Sequence, residues 1–146
     1  MSRVVLLSCL LLLPLMGAQR FWDAEHTYRL AKDQEAVITV LKPDPKAEHP
    51  RKSLLRFRWT LYRNHRLIVL VRYDGFPTQY VLERGYRRDA IRIYLRDDYL
   101  RGDKRSYLLI RFDAFDPKRY VATLSTLLWD PRKRVEVRFQ KRKGSR

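Results

Sequence analysis

The chain has 146 residues, of which 45% are hydrophobic and 12% aromatic, a composition that excludes a disordered polymer and fits one domain with its own core. Its formal net charge is +16, carried by 23 Arg and 9 Lys, and a surplus of that size favours anionic partners and works against self-association. The single cysteine, Cys9, leaves the rest of the chain without disulfides, a thiol nucleophile or a thiolate metal site.

Arg3 is the first charge and Arg20 the next; between them runs an apolar stretch from Val4 to Met16, followed by Gly17-Ala18. A positive start, a short apolar run and a small-residue exit form the pattern of a secretory signal peptide over residues 1–18. The run falls short of the about 20 residues that a bilayer span needs, so no transmembrane span is expected. Residues 19–146 then form a single basic domain. Export without cysteines points to a bacterial envelope, with the periplasm as the first compartment and secretion as the second.

Phe21 to Gln34 admits a short N-terminal helix capped by Asp23, with Ala24, Tyr28 and Ala31 on one face, although the stretch is polar. From Glu35 the dominant period is two. Glu35–Leu41 is a β-branched run, and Lys42 to Lys52, with three prolines, reads as a loop. In Leu54–Tyr62 the apolar Leu55, Phe57, Trp59 and Leu61 alternate with Arg56, Arg58 and Thr60. Leu67–Tyr73 repeats the period. A two-residue loop at Asn64-His65 would set Trp59 opposite Leu70. A register shifted by one matches Leu61 with Leu67, Trp59 with Val69 and Phe57 with Val71, and the apolar match selects it. That choice implies a loop of odd length and sets Arg56 opposite Arg72.

Asp74-Gly75 is a type I′ hairpin signal. Centred there, Val71 faces Thr78, Val69 faces Tyr80, Leu67 faces Leu82, and Pro77 falls opposite Arg72, as suits a strand near a sheet edge. Ala90–Arg96, Ser106–Asp113 and Val135–Phe139 continue the alternation. The echoing segments Phe115-Asp116-Pro117-Lys118-Arg119 and Trp129-Asp130-Pro131-Arg132-Lys133 read as two hairpin corners. Tyr120–Leu128, between them, reads as strand in preference to helix. About eight short strands with turns between them make an all-β, antiparallel β-sandwich or barrel.

Catalytic patterns are mostly absent. His26, His49 and His65 have no metal-ligand spacing and read as solvated surface residues. Neither a Gly-x-Ser-x-Gly elbow nor a phosphate-cradling glycine loop occurs. Asp97-Asp98 reads as a turn balanced by neighbouring Arg and Lys, and Asp113 and Asp116 as corner residues. No catalytic residue, metal or cofactor is expected.

The basic strand faces are the one arrangement that points to chemistry. Arg56, Arg58 and Tyr62 share a parity on one strand, Arg72 opposes Arg56, and Arg92, Tyr94 and Arg96 share a parity on another. Guanidinium forks suit phosphate and carboxylate, and aromatic neighbours suit stacking. The competing reading is an ordinary solvated face covered by arginine stems. Three function classes follow: a non-enzymatic binding module for an anionic envelope component, including contact with a membrane surface; an accessory subunit docking an acidic protein; and, last, single-stranded nucleic-acid binding, which export disfavours.

Overall fold

The computed structural model describes residues 22–85, 87–96 and 104–140. The segment 1–18, expected to be a signal peptide, and Asp97-Asp98, expected to form a turn, lie outside the described residues. Among the described residues there are nine strands and no α-helix: β1 (Ala24–Ala31), β2 (Ala36–Lys42), β3 (Arg51–Arg63), β4 (Arg66–Tyr73), β5 (Phe76–Glu83), β6 (Ala90–Tyr94), β7 (Tyr107–Asp116), β8 (Val121–Trp129) and β9 (Glu136–Phe139). A four-stranded sheet of order β1-β8-β7-β6 packs on a five-stranded sheet of order β5-β4-β3-β2-β9. The result is an antiparallel sandwich and not a closed barrel.

The expected N-terminal helix is a strand. Ala24, His26, Tyr28 and Leu30 point inward while Glu25, Thr27, Arg29 and Ala31 are exposed, and β1 pairs residue by residue with β8 from Ala24↔Leu128 to Ala31↔Val121. Eight ladder positions and two buried side chains outweigh the weak local preference of a polar helix. His26 also departs from the solvated role expected of it: its ring stacks on Phe139 at 5.2 Å and meets Tyr28 edge-on at 4.5 Å.

Turn chemistry sets the five-stranded sheet. Asp74 and Gly75 both have positive φ, 49° and 87°, the type I′ geometry that glycine at its second position permits without strain. The β4–β5 pairs are Val71↔Thr78, Val69↔Tyr80, Leu67↔Leu82 and Arg72↔Pro77, all as expected.

The β3–β4 hairpin reconciles two registers. Asn64 and His65, with φ of 52° and 61°, make a two-residue turn that pairs Arg63 with Arg66 and Leu61 with Ile68. A bulge between Trp59 and Leu61 then resets the ladder to Trp59↔Val69, Phe57↔Val71 and Arg56↔Arg72. The expected apolar register therefore holds in the core, but it is reached by an inserted residue in mid-strand, not by an odd loop. Consequently Leu61 is exposed and unpaired with Leu67, while Tyr62 turns inward. The presumed loop 42–52 is also shorter than expected, because β2 and β3 pair as far as Lys42↔Arg51.

Trp59 is buried with no exposed surface and packs edge-on against Phe115 and Tyr120 beside the β7–β8 corner. Its indole donates to the Leu30 carbonyl at 2.8 Å, joining the two sheets. Ile38, Leu55, Phe57, Leu108, Ile110 and Leu124 are buried in the same core cluster; burial of each stabilises by about 1.5–3 kcal/mol. The first aromatic-Asp-Pro corner is a hairpin between β7 and β8, with Asp116 Oδ1 accepting from the Lys118 and Arg119 amides. The second is not a hairpin: β8 and β9 belong to different sheets. There the buried Asp130 accepts from Ser106 Oγ at 2.7 Å and the Val135 amide at 2.9 Å, fastening the crossover.

Candidate functional site

The two sheets turn their outer faces in opposite directions, and this divides the arginine and tyrosine residues that the strand parity had grouped. On the five-stranded sheet, Arg56 and Arg72 are directly opposed. Arg58 lies two residues along β3, opposite Leu70. The three guanidinium groups, Leu70 and Glu35 line a shallow recess of about 150 Å³. Glu35 Oε1 accepts from Arg56 at 3.3 Å; among the described residues the side chains of Arg58 and Arg72 make no ion pair or hydrogen bond.

Beside this basic recess the same face becomes apolar. Leu61, Ile68 and Val81 form one cross-strand row, with Leu61 and Val81 exposed, and together with Arg63, Asn64 and Arg66 they line a hollow of about 270 Å³. The face thus runs from arginine through aliphatic side chains to a basic hairpin tip. Arg138, on β9 beside Thr39 of β2, extends it but is held by Glu136 at 2.8 Å.

The other predicted residues lie elsewhere. Tyr62, turned inward by the bulge, stacks on Phe115 with ring centroids 3.7 Å apart and belongs to the core margin. Arg92 and Tyr94 sit on the outer face of the four-stranded sheet, where nearby side chains occupy them. The Arg92 guanidinium lies 4.5 Å over the Tyr107 ring, and Arg105 lies 3.7 Å over Tyr94. Tyr107 in turn stacks on Trp129 at 6.5 Å and meets Trp22 edge-on at 6.3 Å. Arg111, on this same sheet, is clamped to Asp113 at 2.7 Å. Arg96 leaves both faces: its guanidinium donates to the Pro43 and Arg134 carbonyls, each at 3.4 Å, and bridges the sheets at one end.

Reasoning from strand parity missed one feature entirely. A cleft of about 380 Å³ opens between the sheet edges β5 and β6, lined by Lys42 and Arg51 at one end and by Val71, Tyr73, Tyr80 and Leu95 along its walls. Tyr73 Oη donates to the Leu95 carbonyl at 2.7 Å, and burial pushes its hydroxyl pKa above the usual range. Asp74 accepts from Lys42 Nζ at 3.2 Å. Desolvation opposes its ionisation, yet Lys42 and the charge of Arg51 together hold its carboxyl below the ordinary range. A signal was available in the sequence: Lys42 and Arg51 bound the proline-rich stretch and end two strands that a β2–β3 hairpin must bring together.

Among the described residues no group of three or more His, Cys, Asp or Glu is placed to hold a metal ion, and no helix is long and apolar enough to cross a membrane. No protein family, curated protein or solved structure matches the chain.

Proposed function

We propose that this protein is an exported, non-enzymatic binding module of a bacterial cell envelope that holds anionic ligands or surfaces on the outer face of its five-stranded sheet. The observation that carries this reading is the direct opposition of Arg56 and Arg72, with Arg58 beside them and one carboxylate, Glu35, in the recess. Like charges opposed across a ladder destabilise it, and an incoming phosphate or carboxylate relieves that repulsion while meeting guanidinium donors two at a time. The aliphatic row of Leu61, Ile68 and Val81 next to the arginines suits an anionic lipid surface, where headgroups meet the cations and acyl chains the apolar band.

A second reading is favoured by the same row. An exposed apolar centre flanked by arginine is also the composition of a docking patch for an acidic protein, with the chain as accessory subunit of an envelope assembly. Nucleic acid ranks third, because export of the domain confines it to strands outside the cytoplasm.

The test is binding of the purified protein to anionic and zwitterionic liposomes, lipopolysaccharide, wall fragments and single-stranded DNA across a salt series. The expected result is preference for one anionic ligand that survives physiological salt, and a weakening of at least about tenfold in the Arg56→Gln/Arg58→Gln/Arg72→Gln variant at unchanged melting temperature. Equal binding to every polyanion, lost once screening shortens to about 8 Å, overturns the reading and leaves the acidic-protein alternative. Collapse of the triple variant's fold also counts against it.

A further inference from the structure

The cleft between β5 and β6 is separate from the arginine recess, and its construction carries an inference beyond the surface-binding reading. Phe76, Thr78, Tyr80 and Leu82 share one parity on β5, set by Thr78↔Val71 and Leu82↔Leu67, and that parity faces the interior of the sandwich. Leu82 is buried accordingly, yet Thr78 is exposed and Phe76 is 77% exposed. The opposing edge strand β6 has five residues against eight in β5, so the inward face of β5 outruns its cover. On the opposite side of the sandwich the gap is filled, with His26 on Phe139 and Tyr28 on Phe57. Here aromatic and aliphatic walls stand open to solvent, at a size within the range of small-molecule sites.

The end of the cleft is charged. Lys42 and Arg51 are cross-strand partners, an arrangement of like charges that costs stability unless an acid or anion relieves it. Asp74 forms its close ion pair with Lys42, at 3.2 Å, and meets Arg51 only through longer-range charge. Lys42 also lies 4.9 Å over the Tyr73 ring. The Arg51 guanidinium makes no ion pair or hydrogen bond among the described residues. Lys42, Arg51 and Asp74 leave a single positive charge at the end of a slot whose walls mix aliphatic side chains with the rings and hydroxyls of tyrosine and threonine.

We propose that this cleft binds a monoanionic amphiphile, a carboxylate on an acyl or aryl body, with Arg51 taking the carboxylate and Val71, Tyr73 and Tyr80 taking the apolar part. One net charge selects a monoanion, and a planar guanidinium meets a carboxylate through two parallel N–H···O bonds. The inward face of β5 supplies the apolar contact that the short β6 leaves unmade.

Calorimetric titration of the purified full chain tests this with decanoate and 4-phenylbutyrate, each set against its uncharged alcohol, decanol or 4-phenylbutanol. The expected result is carboxylate binding at least about tenfold tighter than that of the matching alcohol, a preference that Arg51→Gln abolishes. Thr78→Trp, at an exposed edge position that points into the slot, is expected to block both carboxylates with the melting temperature held. The Arg56→Gln/Arg58→Gln/Arg72→Gln variant is expected to bind them as the parent does, which separates this site from the basic recess. Binding by decanoate alone or by 4-phenylbutyrate alone assigns the acyl or the aryl class. Equal affinity for acid and alcohol, no binding by the parent chain at millimolar ligand, or full binding by Arg51→Gln overturns the proposal.

Discussion

The two outer faces of the sandwich begin from the same material, strands that alternate arginine with apolar or aromatic residues, and end in different states. On the four-stranded sheet, Arg92 and Arg105 lie over the rings of Tyr107 and Tyr94, and Arg111 is held by Asp113. On the five-stranded sheet, the cross-strand neighbour of Arg58 is Leu70 and that of Arg56 is a second arginine. An arginine's availability is therefore decided by what lies within reach of its guanidinium and not by its direct ladder partner, which is Leu109 for Arg92 and Ala90 for Arg111. A ring or a carboxylate within reach converts the cation into part of the fold, whereas a recess with Glu35 as its one carboxylate leaves the donors of Arg58 and Arg72 for a ligand.

If this contrast holds, substitutions on the two faces should differ in stability and in binding. Tyr107→Ala, which removes a buried ring shared by Arg92, Trp22 and Trp129, should cost about 3–5 kcal/mol in a denaturant titration. A cost under about 1 kcal/mol would show the aromatic ladder to be decoration. Asp130→Ala should cost about 2–3 kcal/mol, because the Ser106 hydroxyl and Val135 amide lose their buried acceptor; the loss should leave ligand binding at the arginine recess unchanged after correction for the folded fraction.

High pH probes the core beneath both faces. Burial pushes the Tyr28 hydroxyl up to about 12, so the unfolded chain releases this proton first, near the ordinary tyrosine value of about 10. The stabilisation is fully present below pH 10 and declines as pH rises toward 12, by about 1 kcal/mol per pH unit. Tyr28→Phe should flatten that decline in urea midpoints measured between pH 9 and 11; an unchanged slope would assign it to other groups. Smaller still, Arg92→Ala should lose about 1 kcal/mol with its cation–π contact. Arg72→Gln should gain a few tenths of a kcal/mol at low salt by relieving Arg56, a gain that shrinks on adding salt. Equal losses at Arg92 and Arg72 would erase the distinction between the faces.

Much of this geometry was legible from local signals. Asp74-Gly75 demands positive φ at two successive residues, so the β4–β5 pairing followed position by position, and the opposition of Arg56 and Arg72 followed from the apolar match of Phe57 with Val71. Tyr62 was misplaced because a bulge shifts parity by one residue and Thr60 carries no mark that distinguishes it from an ordinary outward position. Strand β1 was missed because its inward set includes His26, a polar side chain whose place on Phe139 depends on a strand more than a hundred residues later. The open cleft belongs to neither strand alone. It arises from the unequal lengths of β5 and β6, which no alternation within either one encodes.

The pairing of β1 with β8 also has a consequence in time. Thr27 meets Ser125 across a separation of 98 residues, and Asp23 receives the Asp130 amide across 107. Synthesis runs from the N-terminus, so β1 is made first and completes its ladder nearly last, after the β2–β5 meander has every partner it needs except β9. Loop closure over such distances is slow. Assembly is thus expected in two stages, a rapid hairpin phase confined to the five-stranded sheet and a slower phase in which the earliest strand finds one of the latest, and until then the Leu30 carbonyl that Trp59 requires is not in place.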